Sequence, residues 1–292
     1  MNPRWLVAQE TSAVTQIRQG GATAKINIHK LRGNVSMVEG SGGDVAVVTG
    51  RDGKLLVESG VTASRPRITE ALGSLSADPV KHVVNTHWHF DHTDGNEWLH
   101  SEGAEITAHE NTLKRLSTST RVEDWNFTFP PSPKGALPTQ LVADEKTLRL
   151  NGTSVVLKYY GPCHTDTDIW VHFTDADVFC FGDTWWNGHY PFIDYSTGGS
   201  IDASIRAAAA NAARVSKKAL VIPGHGPVGG KAELTEFHEM LVAVREKVSR
   251  LKKDGRSLEE VVATAPTAEY DAKWGGFVIK GKTFTGLVYA GV

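Results

Sequence analysis

The 292-residue sequence predicts an α/β protein whose two similar halves pack face to face. Three observations carry this. Short apolar runs alternate with helical stretches, strands followed by helices occur twice along the chain, and glycines bound the turns between runs.

The elements follow in order. Residues 1–20 form a polar N-terminal arm. Strands are expected over 24–31, 34–38, 44–48 and 54–58, separated by Gly33, Gly40, Gly42, Gly43, Gly50 and Gly53, the spacing of a meander with tight turns. A helix over 64–75 precedes the apolar run His82-Val83-Val84, and a second helix over 95–101 precedes a strand over 105–108. Residues 118–145 read as an insertion carrying Trp125, Phe127, Phe129 and a turn-rich PPSPKG run; a long irregular segment of this kind serves as a lid or as an arm for self-association. Strands return over 154–160, 168–173 and 178–181, followed by an Ala-rich helix over 200–215, a strand over 219–222 and a long helix over 232–252. With no low-complexity tract or linker, residues 1–292 read as one domain. The Gly- and aromatic-rich stretch 274–289 is expected to complete a pocket or an interface.

Composition narrows the function. With 31 Lys+Arg against 33 Asp+Glu and a net charge of -2, the chain lacks the basic footprint of a nucleic-acid binder. No run approaches the roughly 18 apolar residues that span a bilayer, and Gln9, Glu10, Thr11 and Ser12 interrupt any signal core, so a cytoplasmic protein that meets neither nucleic acid nor membrane is expected. Two cysteines, Cys163 and Cys180, rule out a disulfide-framed scaffold.

The chemistry concentrates after Val84. In Asn85-Thr86-His87-Trp88-His89-Phe90-Asp91-His92, three imidazoles and a carboxylate fall within six residues, at a strand end and before a helix. These are the ligand types of a zinc site that keeps a position for water. On an extended segment His87, His89 and Asp91 share a side, and His92 turns in as the chain leaves the strand. Three more strand ends repeat one arrangement, an apolar run, a glycine, then a single His or Asp: His164 in GPCHTD, Asp183 in FGDT and His225 in VIPGHGP. Ligands at the C-terminal ends of several strands converge on one edge of an α/β sheet.

His87-x-His89-x-Asp91-His92, followed by His164, Asp183 and His225, resembles the metallo-β-lactamase-fold superfamily of metallohydrolases over roughly residues 24–255. The resemblance implies a four-layer αββα sandwich. It places His87, His89 and His164 on one metal and Asp91, His92 and His225 on a second, with Asp183 bridging. Two Zn2+ per chain are implied, with Fe or Mn as the alternative. Asp91 is the implied catalytic carboxylate, orienting a metal-bridging hydroxide and shuttling its proton. The other seven histidines read as structural or exposed, His189 being nearest the chemistry.

For substrate, Lys and Arg are absent from residues 85–100, 159–200 and 222–229, which gives no support to a strongly anionic ligand. Aromatics crowd the ligands instead, and Trp88, Trp185, Trp186, His189 and Tyr190 are expected to wall the pocket, although Trp185 and Trp186 cannot both face inward on an extended segment. An ester, lactone, thioester or amide of a largely apolar or aromatic small molecule is the expected substrate. Asp183 stands where β-lactamases of the commonest subclass carry cysteine, which points away from efficient β-lactam hydrolysis. The same fold also admits a mononuclear iron sulfur dioxygenase, a β-lactamase-like activity or a hydrolytic dehalogenase. The N-terminal arm and the 118–145 insertion are the segments through which a homo-oligomer would form.

Overall fold

A computed structural model describes residues 12–292, so the first eleven residues of the expected N-terminal arm lie outside the described residues. The arm's remainder is helix α1 (Ala13–Gly21), started by the Ser12 side chain accepting from the Thr15 amide. Strands β1 (Asn27–Lys30), β2 (Val35–Glu39), β3 (Val45–Val48) and β4 (Lys54–Val57) form the expected antiparallel meander. Helix α2 (Arg65–Leu75), β5 (Val80–Val84), α3 (Phe90–Thr93), α4 (Asn96–Ser101), β6 (Glu105–His109) and α5 (Glu110–Ser117) follow.

Residues 118–145 are more ordered than their composition suggests. They hold a hairpin of β7 (Thr120–Val122) and β8 (Phe127–Phe129), then β9 (Gln140–Val142), and they run into β10 (Glu145–Leu150). Three-residue strands are too short to show alternation, so the sequence pattern misses them. The second half continues with β11 (Thr153–Tyr159), β12 (Ile169–Phe173), β13 (Val178–Cys180), α6 (Ile201–Arg214), β14 (Leu220–Ile222) and α7 (Lys231–Lys253). Helices α8 (Leu258–Ala263), α9 (Ala268–Trp274) and α10 (Gly281–Gly291) close the chain.

One sheet has the order β1-β2-β3-β4-β5-β6-β9 and the other β10-β11-β12-β13-β14. Side-chain alternation shows how they stack. Ala46, Val48, Leu55, Val57 and Val84 of the first sheet share one buried cluster with Val155, Leu157, Val171, Cys180 and Ile222 of the second. Their intervening neighbours face the other way. Val45, Val47, Leu56 and Val83 pack with Ile68 and Leu72 of α2 and Leu99 of α4. Phe179 and Val221 pack in the cluster that holds Ala208 of α6 and Phe237, Leu241 and Val244 of α7. The layers are therefore helix, sheet, sheet, helix, as expected. Strands buried on both faces explain why the runs read as continuously apolar rather than alternating. Among the described residues no helix is long and apolar enough to cross a membrane.

Candidate metal centre

The ligand residues all leave C-terminal strand ends. His87 and His89 follow β5, His164 follows β11, Asp183 follows β13 and His225 follows β14. The extended course after β5 reaches only His89. Phe90 begins α3, so Asp91 and His92 enter the site from a helical turn, which corrects the alternation expected for Asp91.

Asp183 organises the centre through its two oxygens. Oδ2 lies 3.7 Å from His87 Nε2 and 3.4 Å from His164 Nε2. His164 Nε2 is in turn 3.0 Å from His89 Nδ1. Oδ1 lies 3.2 Å from His92 Nε2 and 3.5 Å from His225 Nε2, and Asp91 Oδ2 joins this second group at 3.3 Å from His225 Nε2 and 3.6 Å from His92 Nε2. Zn–N bonds of about 2.0 Å in a tetrahedron put neighbouring ligand atoms about 3.3 Å apart. Both groups match that spacing. His87 Nε2, His92 Nε2, His225 Nε2 and Asp183 Oδ1 are buried without a hydrogen-bond partner, which is what donors and acceptors reserved for an ion look like. The residues present therefore fit divalent metal.

Surrounding groups fix the ring orientations. His164 donates from Nδ1 to the Phe192 carbonyl at 2.9 Å, and His89 donates from Nε2 to Asp194 Oδ2 at 3.0 Å, so Nε2 of the first and Nδ1 of the second face the centre. Asp194 is held by Thr197 Oγ1 at 2.6 Å, and although burial pushes its carboxyl up, the bond and charge of His89 together with the Thr197 bond hold it below the usual range. Replacing Asp194 with asparagine is expected to weaken metal affinity by about 10- to 100-fold. Competition against a chelator measures this, and unchanged affinity would exclude the orienting role.

Glu58, directly after β4, is a second acid that sequence reasoning missed. It is buried, accepts from the Thr86 amide at 3.2 and 3.3 Å and from the Thr86 hydroxyl, and sits 3.4 Å from His92 Nδ1. Its backbone is left-handed (φ 74), a strained conformation for this residue type. The run Leu55-Leu56-Val57 followed by an acid has the strand-end form of the Asp183 segment and was the available signal. Glycines let the backbone approach: a β-carbon at Gly224 would collide with Asp183 Oδ1, and one at Gly43 with the His92 ring.

The two ligand groups differ in charge. Burial, and then His92, hold His87 well below the usual imidazole range, and burial lowers His164 to about 4. Burial also disfavours charge on His92 and His225, but the facing carboxylates, Asp183 first, overcome it and raise His92 well above the ordinary value and His225 to about 9. At pH 7 His87 and His164 are thus ready for metal, whereas His92 and His225 must each shed a proton. Metal affinity of the second group should rise with pH until about 9. Calorimetric titration in buffers of different ionisation enthalpy should show about two protons released with the second equivalent and close to none with the first. Equal release at both steps would contradict the assignment.

A cavity of about 500 Å3 opens onto this centre, lined by His89, Asp91, Asp183 and His225 at its floor. Trp125 and Phe192, stacked at 4.8 Å, wall the His89 side, and Trp125 also lies 4.8 Å from the His89 ring. Trp186, 4.4 Å from the His225 ring, and Phe277 wall the other side. Val14, Gln16 and Ile17 of α1 with Val278 and Ile279 complete it. Of the expected pocket residues, Trp186 lines this cavity. Trp88, Trp185 and Tyr190 do not, because each is packed in the core. Trp88 donates to Thr197 Oγ1 at 3.2 Å, Trp185 is fully buried, and Tyr190 stacks on Phe284 with its hydroxyl 2.9 Å from Asp271 Oδ1. His189 is half-buried behind Phe277, at 4.8 Å. The wall residues Trp125 and Phe277 come from the insertion and from the 274–289 stretch, whose aromatic content was the signal.

A match to the sequence profile of the Metallo-beta-lactamase superfamily covers residues 38–225, from β2 to His225. The chain belongs to this superfamily. Solved structures agree on the superfamily fold. A metallo-beta-lactamase from Pontibacter korlensis superposes with a TM-score of 0.59 at 19% identity, over 74% of this chain and 99% of that one. The DIM-1 metallo-beta-lactamase gives 0.59 at 20% identity, over 74% and 97%. The stereoselective inverting sec-alkylsulfatase Pisa1 from Pseudomonas sp. gives 0.70 at 13% identity over 96% of this chain, which spans 53% of the sulfatase. The superfamily and these neighbours are hydrolases, and the buried His/Asp cluster of this member has the donor set to hold a divalent metal.

Proposed function

We propose that this superfamily member is a dinuclear zinc hydrolase of small, largely apolar or aromatic esters, lactones, thioesters or amides. The observation that carries the reading is the single carboxylate of Asp183, whose two oxygens each face a separate set of ligands at the floor of an apolar cavity. A pair of divalent ions held there supplies a water activated near neutral pH. The chain supplies the rest. Asp91 lines the cavity floor, where its carboxylate can take and pass on a proton. Trp125, Phe192, Trp186 and Phe277 exclude bulk water and hold the apolar body of the substrate. Among the described residues no lysine or arginine lines the cavity, so a sulfate ester, a phosphodiester or a carboxylate-bearing β-lactam finds no side-chain cation there.

The test is a zinc-loaded sample with quantified metal, screened against aryl esters, lactones, thioesters and anilides beside an alkyl sulfate, a phosphodiester and a β-lactam. Two zinc ions per chain and at least about tenfold higher kcat/KM on the neutral acyl substrates are expected. One iron per chain with oxygen uptake on a persulfide, or preference for an anionic substrate, would overturn it.

A further inference from the structure

Among the described residues the cavity contains one charged side chain away from the ligands, Asp124. It sits in the turn between β7 and β8, immediately before Trp125, and it is exposed at the rim. The turn is anchored from outside. The Glu123 amide donates to Ser196 Oγ at 3.0 Å, and Arg121, the cation on this hairpin, is taken up by Glu123 Oε1 and Asn126 Oδ1, each at 2.8 Å. Asp124 is therefore left to the cavity. Its charged neighbours are Asp194 and Glu123, and burial together with these like charges raises its carboxyl above the usual range. Arg18, on the same helix as Val14 and Ile17, points to a neighbouring cavity and pairs with Asp94 at 3.1 Å. The same cavity is lined by the rings of Trp125, which follows Asp124 in the chain, and of Trp186, Phe192 and Phe277. An unneutralised carboxylate beside several aromatic rings is the chemistry that recognises an organic cation.

We propose that the cavity selects substrates carrying a protonated amine or quaternary ammonium group at the end remote from the scissile bond, held at the rim by Asp124 and the aromatic walls. This rests on the cavity's being the substrate pocket of the proposed hydrolase and narrows its substrate class. The cation belongs at the rim because the floor holds the metal-ligand residues, and the apolar body spans the distance between them.

Binding and turnover test it separately. Benzyltrimethylammonium, benzyl alcohol and phenylacetate are titrated calorimetrically into the zinc-loaded protein. The ammonium is expected to bind at least about tenfold tighter than the alcohol, and phenylacetate weakest once metal coordination is discounted by repeating the series on metal-free protein. Asp124→Asn should lower the advantage of ammonium over alcohol by about tenfold, whereas Glu123→Gln should keep it. Equal binding of ammonium and alcohol, or an advantage that survives Asp124→Asn, overturns the proposal. In parallel, kcat/KM is compared for aryl esters bearing a trimethylammonium or an isosteric tert-butyl group. Hydrolysis of both without preference sinks the cation site and leaves the hydrolase. An Asp124-dependent ammonium advantage with no ester, lactone, thioester or amide turned over sustains the cation site and sinks the hydrolase.

Discussion

Asp183→Ala is expected to reduce turnover by about 10^3-fold or more and to leave fewer than two metal ions per chain after dialysis. The reason is geometric. The two oxygens of Asp183 face the two ligand groups, and the four imidazole nitrogens around it approach at 3.2–3.7 Å. Without it, the metal-free protein would bring His87, His92, His164 and His225 together with no central negative charge. His92 and His225, now raised by Asp183, should then titrate lower. Asp183→Asn separates the bridging role from packing, because it keeps the volume and one oxygen while removing the charge. If either variant retains two tightly held ions, as measured by elemental analysis after dialysis, Asp183 does not join the two groups.

Asp91→Asn should preserve the fold and lower kcat by about 10^2- to 10^4-fold. Asp91 is held low by the His92 and His225 imidazoles, against burial and against Asp183, so it is ionised in the resting site and able to accept a proton. The amide keeps a weak metal-facing oxygen but cannot carry that proton. The fall is therefore expected mainly in kcat, with KM little changed, and it should persist when zinc is saturating. Near wild-type turnover would remove Asp91 from proton handling, and a deficit cured by excess zinc would reduce it to a ligand.

How much of this was legible in the sequence depends on distance along the chain. The ligands announce themselves locally, because a strand end in this fold presents its next His or Asp to a common edge, and an apolar run followed by glycine and one such residue is visible without coordinates. Asp91 shows the limit of local periodicity: it belongs with His87 and His89, yet through a helical turn that begins at Phe90. The walls were harder. Trp185 and Trp186 are equivalent in sequence, and only packing sends Trp186 to His225 and Trp185 into the core. Trp125 lies 36 positions beyond His89, and its approach depends on a hairpin of two three-residue strands. Asp194 acts through His89 from a loop 105 residues away, a pairing that no spacing encodes.

The provenance of the cavity has a consequence for how the molecule can change. The ligands, and the glycines pressed against them, lie within residues 38–225, whereas Val14, Gln16 and Ile17, and Phe277, Val278 and Ile279, lie outside. Inside that span, a substitution at Gly43 or Gly224 strikes a ligand directly. Outside it, the cavity residues are not themselves ligands, and the nearest ring contact to one is Phe277 against His225 at 5.7 Å. Selectivity should therefore be the readily evolvable property of this chain and reaction type the fixed one, and a library confined to α1 and residues 277–279 is where new substrates would be found.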